Sequence, residues 1–155
     1  PFLTADAYDT RFYTSLPTGE VRLDERTRWI QEPGRLLSDA FQRSLIGTDI
    51  FTHVVDARSI VKGTLRLTGK VMEFSKAASE TSPHGRAVLN VTLSLHTARS
   101  RSASKDDIVW KAVLTGSRDM QSPTPDAFVA AMSENVRVVL ASFVEGLAQV
   151  PSPNE

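Results

Sequence analysis

The amino-acid sequence predicts an α+β fold: a mostly antiparallel sheet of about five or six strands, with two amphipathic helices packed on one face. Several strand patterns follow one another in the middle of the chain without an intervening helix, which disfavours a parallel, doubly wound sheet. One helical pattern precedes these strands and a longer one follows them. No linker divides the 155 residues, so we expect a single domain over 1–155, with flexible tails at 1–7 and 149–155.

Two strands and one helix are predicted in the first third of the chain. Residues 1–10 show little periodicity and are expected to be loosely held. Arg11–Ser15 is predicted as a strand, and a second strand begins near Gly19, where apolar and polar residues alternate. The helix is predicted over Pro33–Ile46, because proline suits a first helical turn and apolar residues recur every four positions. Gly47 suits the C-terminal end of this helix.

Strand patterns dominate the middle of the chain. A short strand is predicted at 51–55 and a long one at 60–74, with a β-bulge at Gly69, where the alternation loses its phase. The strictest alternation of the sequence comes next, and its apolar members are Ala87, Leu89, Val91, Leu93 and Leu95. A charged, serine-rich hairpin tip at 99–107 then leads to a return strand with Ile108, Trp110, Ala112 and Leu114.

The clearest helical pattern of the sequence lies near its end. Thr124 is placed to cap this helix, Pro125 to take its first position, and Asp126 to face the positive end of the helix dipole. The apolar stripe, with spacings of three and four residues, comprises Phe128, Met132, Val136, Val139, Phe143 and Leu147. We interpret this wide stripe as the face that packs on the core rather than as a partner-binding face.

Composition and motifs argue against an enzyme or a nucleic-acid binder. Eighteen basic and eighteen acidic residues cancel, so the basic surplus typical of nucleic-acid binding is missing. The chain has no cysteine, and its three histidines lie on separate predicted elements. Residues 63–71 resemble a phosphate loop, but five residues separate the glycines, Val71 replaces the required hydroxyl residue, and the segment reads as a strand. We therefore expect no catalytic residues, no cofactor and no bound metal.

Two segments resemble a known family. Residues 28–45 read RWIQEPGRLLSDAFQRSL, which is similar to the Arg-Trp, acidic-Pro and long amphipathic helix of the ABC-type transport auxiliary lipoprotein family. Residues 127–133 read AFVAAMS and resemble the opening of the terminal helix in that family. The family includes the lipoprotein of the paraquat-inducible, MCE-type lipid transport systems. The likeness runs over about residues 8–148 and follows the family's order of strands and helices.

The resemblance implies a non-enzymatic accessory in a Gram-negative envelope. Such a protein faces the periplasm and is anchored to the outer membrane by a lipidated N-terminal Cys, which is not present in this chain. The implied partners are an MCE-domain substrate-binding protein and an ABC permease and ATPase complex. Phospholipid is the candidate cargo, a homo-oligomer is a further candidate assembly, and nucleic acid is not expected. No stretch approaches about 18 consecutive apolar residues, so the sequence itself predicts no membrane span.

Candidate contact residues follow from the expectation that such a protein acts by docking. Arg28 and Trp29 lie before the first helix, where Trp29 serves either as an anchor of the fold or as a partner contact. Strand edges are further candidates. Charges at the predicted hairpin tip offer a weaker, salt-sensitive contact through Arg99, Arg101 and Lys105. The alternative function is an outer-membrane assembly or scaffolding lipoprotein on a similar α+β framework.

Overall fold

A computed structural model describes residues 2–4, 9–56, 59–60, 63–97 and 108–148. Its elements, in chain order, are β1 (Phe2–Thr4), β2 (Arg11–Ser15), β3 (Val21–Arg28), α1 (Pro33–Ile46), β4 (Leu65–Ala77), β5 (Arg86–Thr97), β6 (Ile108–Asp119) and α2 (Pro125–Leu147). The predicted α+β class is confirmed, since all six strands belong to one sheet.

The sheet is antiparallel except along one edge of β4. Its strand order is β3-β2-β4-β5-β6, and β1 also pairs with β4. The β2–β3, β4–β5 and β5–β6 pairs are antiparallel, whereas β1 and β2 both run parallel to β4. Thr4 lies opposite Val71 and Thr14 lies opposite Lys76, so the two N-terminal strands occupy successive parts of the same β4 edge.

Both helices cover one face of the sheet. The predicted alternation in β5 is confirmed, because its five inward residues are all buried: Ala87, Leu89, Val91, Leu93 and Leu95. The helices meet over this face, where the rings of Phe41 in α1 and Phe143 in α2 lie 5.4 Å apart. One contiguous core therefore joins both helices to the central strands.

The two helices begin and end where the sequence predicts. Helix α1 spans Pro33–Ile46, with proline in its first turn and Gly47 as the C-terminal cap residue. The Thr124 side chain caps α2 by accepting a hydrogen bond from the backbone N–H of Ala127, at 3.3 Å. The stripe of α2 is buried as predicted at Phe128, Met132, Val139, Phe143 and Leu147, and Val136 is partly buried against the same core.

Helix α2 lies unusually close to β6 because two glycines remove the side chains between them. A Cβ atom at Gly116 would lie 2.8 Å from the Cβ of Asn135, and one at Gly146 would lie 2.9 Å from the Trp110 ring. The buried Asn135 amide donates a hydrogen bond to the backbone carbonyl of Ala87, at 2.9 Å. This bond satisfies a polar side chain that would otherwise be costly to bury.

The N-terminal strand corrects two of the sequence predictions. Phe2–Thr4 was expected to be loosely held, but it pairs with β4, and the Phe2 side chain is buried against Phe41 at a centroid distance of 4.9 Å. Gly69 was expected to form a bulge, but the register shifts between Val71 and Glu73 instead. Gly69 makes room for the Phe2 ring, which a Cβ atom there would approach to 2.6 Å.

The segment between α1 and β4 gives a third correction. The predicted strand at 51–55 does not form, and β4 begins at Leu65 rather than at residue 60. Phe51 and Val54 are instead partly buried against the core without strand pairing. The apolar residues of this segment therefore attach a loop to the core, and their spacing in the sequence does not indicate a strand.

By length and composition alone, α2 would be long and apolar enough to cross a membrane, contrary to the expectation from unbroken apolar runs. Its position in the fold is that of a core helix, because one face carries seven buried residues that pack on the sheet and on α1. A core helix and a membrane-spanning helix can share this composition, so the burial of one face identifies α2 as a core helix in this fold.

We expect Phe143→Ala to lower the free energy of unfolding by about 3–5 kcal/mol, because it leaves a cavity between both helices and Trp110. Val138 lies on the outer side of the same helix and is 42% exposed. Val138→Ala is therefore the matched control and should change stability by less than about 0.5 kcal/mol. Denaturant unfolding curves for the two variants provide the measurement. Equal effects would show that the Phe143 side chain is not enclosed.

Candidate functional site

Trp29 belongs to an aromatic cluster with Phe12, Phe74 and Phe128. Its ring stacks on Phe12 with a centroid distance of 4.4 Å and an interplanar angle of 29°. It meets Phe74 edge-on at 5.1 Å and lies 5.8 Å from Phe128. Phe12 and Phe128 are themselves in edge contact at 5.1 Å. The cluster joins β2, β4, α2 and the turn before α1, so Trp29 is an anchor of the fold.

The local chain path explains how Trp29 reaches this cluster. The Asp24 carboxylate accepts hydrogen bonds from the backbone N–H groups of Arg26 and Thr27, at 2.8 and 3.2 Å. These bonds lower the pKa of the Asp24 carboxyl group, the Arg26 bond having the largest effect. The Trp29 backbone N–H then donates to the carbonyl of Thr10, at 2.6 Å. The end of β3 is thereby held against the start of β2, and the Trp29 side chain turns inward.

Arg28 lies beside an ion pair at the start of β2. It is exposed and pairs in register with Arg11, whose guanidinium Nη2 lies 2.8 Å from Asp9 Oδ2. Asp9 Oδ1 also accepts from the Tyr13 hydroxyl, at 2.9 Å. Hydrogen bonds from the Arg11 side chain and backbone are the main causes that lower the pKa of Asp9 to about 2. Asp9 offsets the charge of Arg11, and Arg28 presents its own charge to solvent.

The outer surface of this region differs from its inner support. Ile30, next to Trp29, is 89% exposed, so the turn before α1 presents Arg28 and Ile30 to solvent. Trp29 Nε1 and Gln31 Oε1 are buried without a hydrogen-bond partner within the described ranges. The sequence pattern does not single out Ile30, whose exposure depends on Trp29 turning inward.

The remaining predicted contact residues lie outside the described ranges. Arg99, Arg101 and Lys105 fall between Thr97 and Ile108, the residues that close β5 and open β6. The antiparallel pairing of β5 and β6 confirms the predicted return strand, whereas the predicted tip at 99–107 lies outside the described residues. Lys70 is exposed within β4, as the strand interpretation of the glycine-containing segment predicts. Within the described ranges, no group of three or more acidic or histidine side chains is placed to hold a metal ion.

A polar contact closes the far end of the sheet. Asp119 at the end of β6 accepts hydrogen bonds from the hydroxyls of Ser79 and Thr81, at 2.6 and 2.5 Å. These bonds lower the pKa of the Asp119 carboxyl group, the Ser79 bond having the largest effect. The Ser82 hydroxyl donates to the carbonyl of Met120, at 3.0 Å. These hydrogen bonds therefore hold the β4–β5 connection against the end of β6.

The chain shares its fold with several solved structures. A protein of the DUF330 family from Xanthomonas campestris has a TM-score of 0.75 and 19% identity, over 92% of this chain and 77% of that one. An uncharacterized protein has a TM-score of 0.64 and 12% identity, over 96% and 84% of the two chains. The hypothetical protein CT253 of Chlamydia trachomatis has a TM-score of 0.53 and 12% identity, over 94% and 96%. At these identities the likeness establishes the fold.

No protein-family model matches the sequence, and no curated protein matches it.

We expect Trp29→Ala to lower the free energy of unfolding by about 3 kcal/mol, because it removes the ring that joins Phe12, Phe74 and Phe128. Arg28→Ala, one residue away and exposed, should change stability by less than about 0.5 kcal/mol. Thermal and denaturant melts compare the two. A Trp29→Ala protein that melts like the wild type would contradict the anchoring role.

The carboxyl group of Asp9 should titrate at about pH 2 rather than at its ordinary 3.8. A carboxyl group whose pKa is lower in the folded protein than in the unfolded chain contributes stability at pH values above the unfolded pKa. This contribution is lost as the pH falls through the folded pKa of about 2. NMR titration of the side-chain carbonyl carbon measures the midpoint, with Arg11→Gln expected to return it towards 3.8. An unchanged midpoint in Arg11→Gln would contradict the assigned cause.

Proposed function

We propose that this chain is a non-enzymatic auxiliary component of an ABC-type MCE system that transports lipid or another hydrophobic compound. In this proposal it is a lipoprotein that is anchored to the outer membrane, faces the periplasm and acts by docking to partner subunits. The observation that carries the proposal is the contact between the two segments that resemble the auxiliary lipoprotein family. Trp29 of the first segment lies 5.8 Å from Phe128 of the second.

This contact supports the resemblance because the quoted residues are structurally interdependent. Residues 28–45 form the inward turn and most of α1, and residues 127–133 form the first turns of α2. The ring of Phe41 in the first segment also lies 5.4 Å from the ring of Phe143, which follows Phe128 by about four turns of α2. Both segments therefore contribute to one core, as the resemblance implies. The fold likeness to the Xanthomonas campestris protein over 92% of this chain is consistent with a shared framework.

A docking role fits the distribution of side chains. Both apolar helix stripes are used in packing on the sheet, so they are not available to a partner. The exposed candidates within the described ranges are the turn that carries Arg28 and Ile30 and the outer strands of the sheet. The charged residues at 98–107 remain candidates from the sequence alone. Arginine and large apolar groups are common anchors of protein interfaces, whereas exposed charges mainly affect the association rate.

The chain should neither bind nor hydrolyse ATP, because Lys70 is exposed within a strand and its neighbour is Val71 rather than a hydroxyl residue. Fluorescent-nucleotide titration and phosphate release provide the measurements. Saturable ATP binding that disappears in Lys70→Ala would overturn this part of the proposal.

The protein should capture an MCE-domain protein from its own organism, as the proposed transport role requires. Arg28→Glu together with Ile30→Ser should weaken capture by about tenfold or more without changing the melt, since both side chains are exposed. Replacing Arg99, Arg101 and Lys105 with Ala should lower only the association rate, with a smaller effect at high salt. Capture of outer-membrane assembly proteins, with no MCE-domain protein bound, would favour the alternative scaffolding role.

A further inference from the structure

Strands β3 and β6, which end the main strand order of the sheet, differ in how their edges are protected. Within the described ranges, β3 pairs only with β2, and β6 pairs only with β5, so each leaves one side of its backbone unpaired. Five of the eight residues of β3 are charged, which is a common protection against edge-to-edge pairing. Residues 108–117 of β6 carry a single charge, at Lys111. The charges of β3 therefore disfavour pairing with a further strand, whereas β6 has little such protection.

Val113 marks the centre of the open edge. Its side chain is 63% exposed on the sheet face away from the helices, the highest exposure of a large apolar residue among the described strands. Lys111 and Thr115 flank it on the same face. The last residues of β6 are less accessible, because Asp119 is hydrogen-bonded to Ser79 and Thr81. The register of β6 with β5 also shifts at Val109, between Ile108 and Trp110. The regular edge therefore runs over about residues 110–116 and is centred on Val113.

We propose that β6 pairs antiparallel with β6 of a second copy of this chain, about a two-fold axis at Val113. This register places Val113 against Val113 of the other copy and buries the exposed apolar side chain. Lys111 lies opposite Thr115, so no like charges face each other. Trp110 lies opposite Gly116, which has no side chain to displace the indole ring. The sequence of β6 is complementary to itself in this register, which is the requirement of a two-fold interface.

A heterologous partner strand is the other possible occupant. It would need a small residue opposite Trp110, an apolar residue opposite Val113 and an uncharged or acidic residue opposite Lys111. The described part of the chain already supplies a strand that meets all three conditions, which favours the second copy. The assembly joins two six-stranded sheets into one continuous sheet, with the helices of both copies on the same face. This inference does not depend on the transport role.

Single cysteine substitutions test both the interface and its register, because residues 1–155 contain no cysteine of their own. Directly opposed Cβ atoms in antiparallel strands lie close to the spacing that a disulfide requires. Val113→Cys should therefore form a disulfide-linked dimer under mild oxidation about tenfold or more faster than Leu23→Cys, which lies on the charged edge. Leu23 is 45% exposed and provides the matched control. Mixing Lys111→Cys with Thr115→Cys should cross-link faster than either protein alone.

The mass of the untreated full chain completes the test. Light scattering should give a dimer of two 17.0 kDa chains for the wild type and one 17.0 kDa chain for Val113→Lys. The variant should still melt cooperatively, since the substituted side chain lies on the surface of the single chain. A 17.0 kDa wild type at a concentration of about 100 µM would overturn the proposal. Equal cross-linking of Val113→Cys and Leu23→Cys would overturn it as well. A dimer that persists in Val113→Lys would show that another surface joins the copies, which also contradicts it.

Discussion

The close contact between α2 and β6 is the constraint on which the rest of the structure depends. It requires glycine at positions 116 and 146, because a single Cβ atom at either would collide with Asn135 or Trp110. Because α2 lies this close to β6, Phe143 contacts α1 and Phe128 contacts the aromatic cluster around Trp29. A small increase in the separation of helix and sheet would loosen both contacts at once, since packed interiors tolerate few voids.

The two faces of the sheet are stabilised by different interactions. The helix-covered face is built from apolar side chains, whereas hydroxyl and carboxylate groups pair on the other face. There, Ser75 is fully buried and donates to Glu73 at 2.8 Å, and Ser15 donates to Ser75 at 3.0 Å. These bonds connect β2 to β4 where the two strands run parallel. Hydrogen bonding satisfies the buried Ser75 hydroxyl without a second layer of helices.

Local patterns in the sequence predicted the regular elements well and the irregular ones poorly. The helices and β5 follow from periodicity and capping residues, which act over a few neighbouring positions. The pairing of Phe2–Thr4 with β4 could not be found in this way, because Phe2 gains its stability from Gly69 and Phe41, far away in sequence. The same long-range contact explains why the glycine at position 69 marks the close approach of Phe2 rather than a bulge. For a short strand, propensity and periodicity carry too little information to outweigh such contacts.

The candidate site shows a similar limit. The sequence singled out Arg28 and Trp29, but only the contacts of Trp29 with Phe12 and Phe74 show which of the two faces inward. The difference between the charged β3 edge and the nearly uncharged β6 edge is visible in the residue types. Its meaning requires the strand order, because the same two sequences in the middle of a sheet would not form edges.

The attachment of Phe2 has a mechanical consequence. Its backbone N–H donates to the Ser38 hydroxyl of α1 at 2.9 Å, while its ring covers Gly69 of β4. Tension applied to the amino side of Phe2 would therefore load the first helix and a central strand together. A pull along the strand direction would shear the three β1 register contacts at the same time, whereas a pull away from the sheet would unzip them one by one. The domain should thus withstand a tether that lies along its sheet better than one that lifts from it.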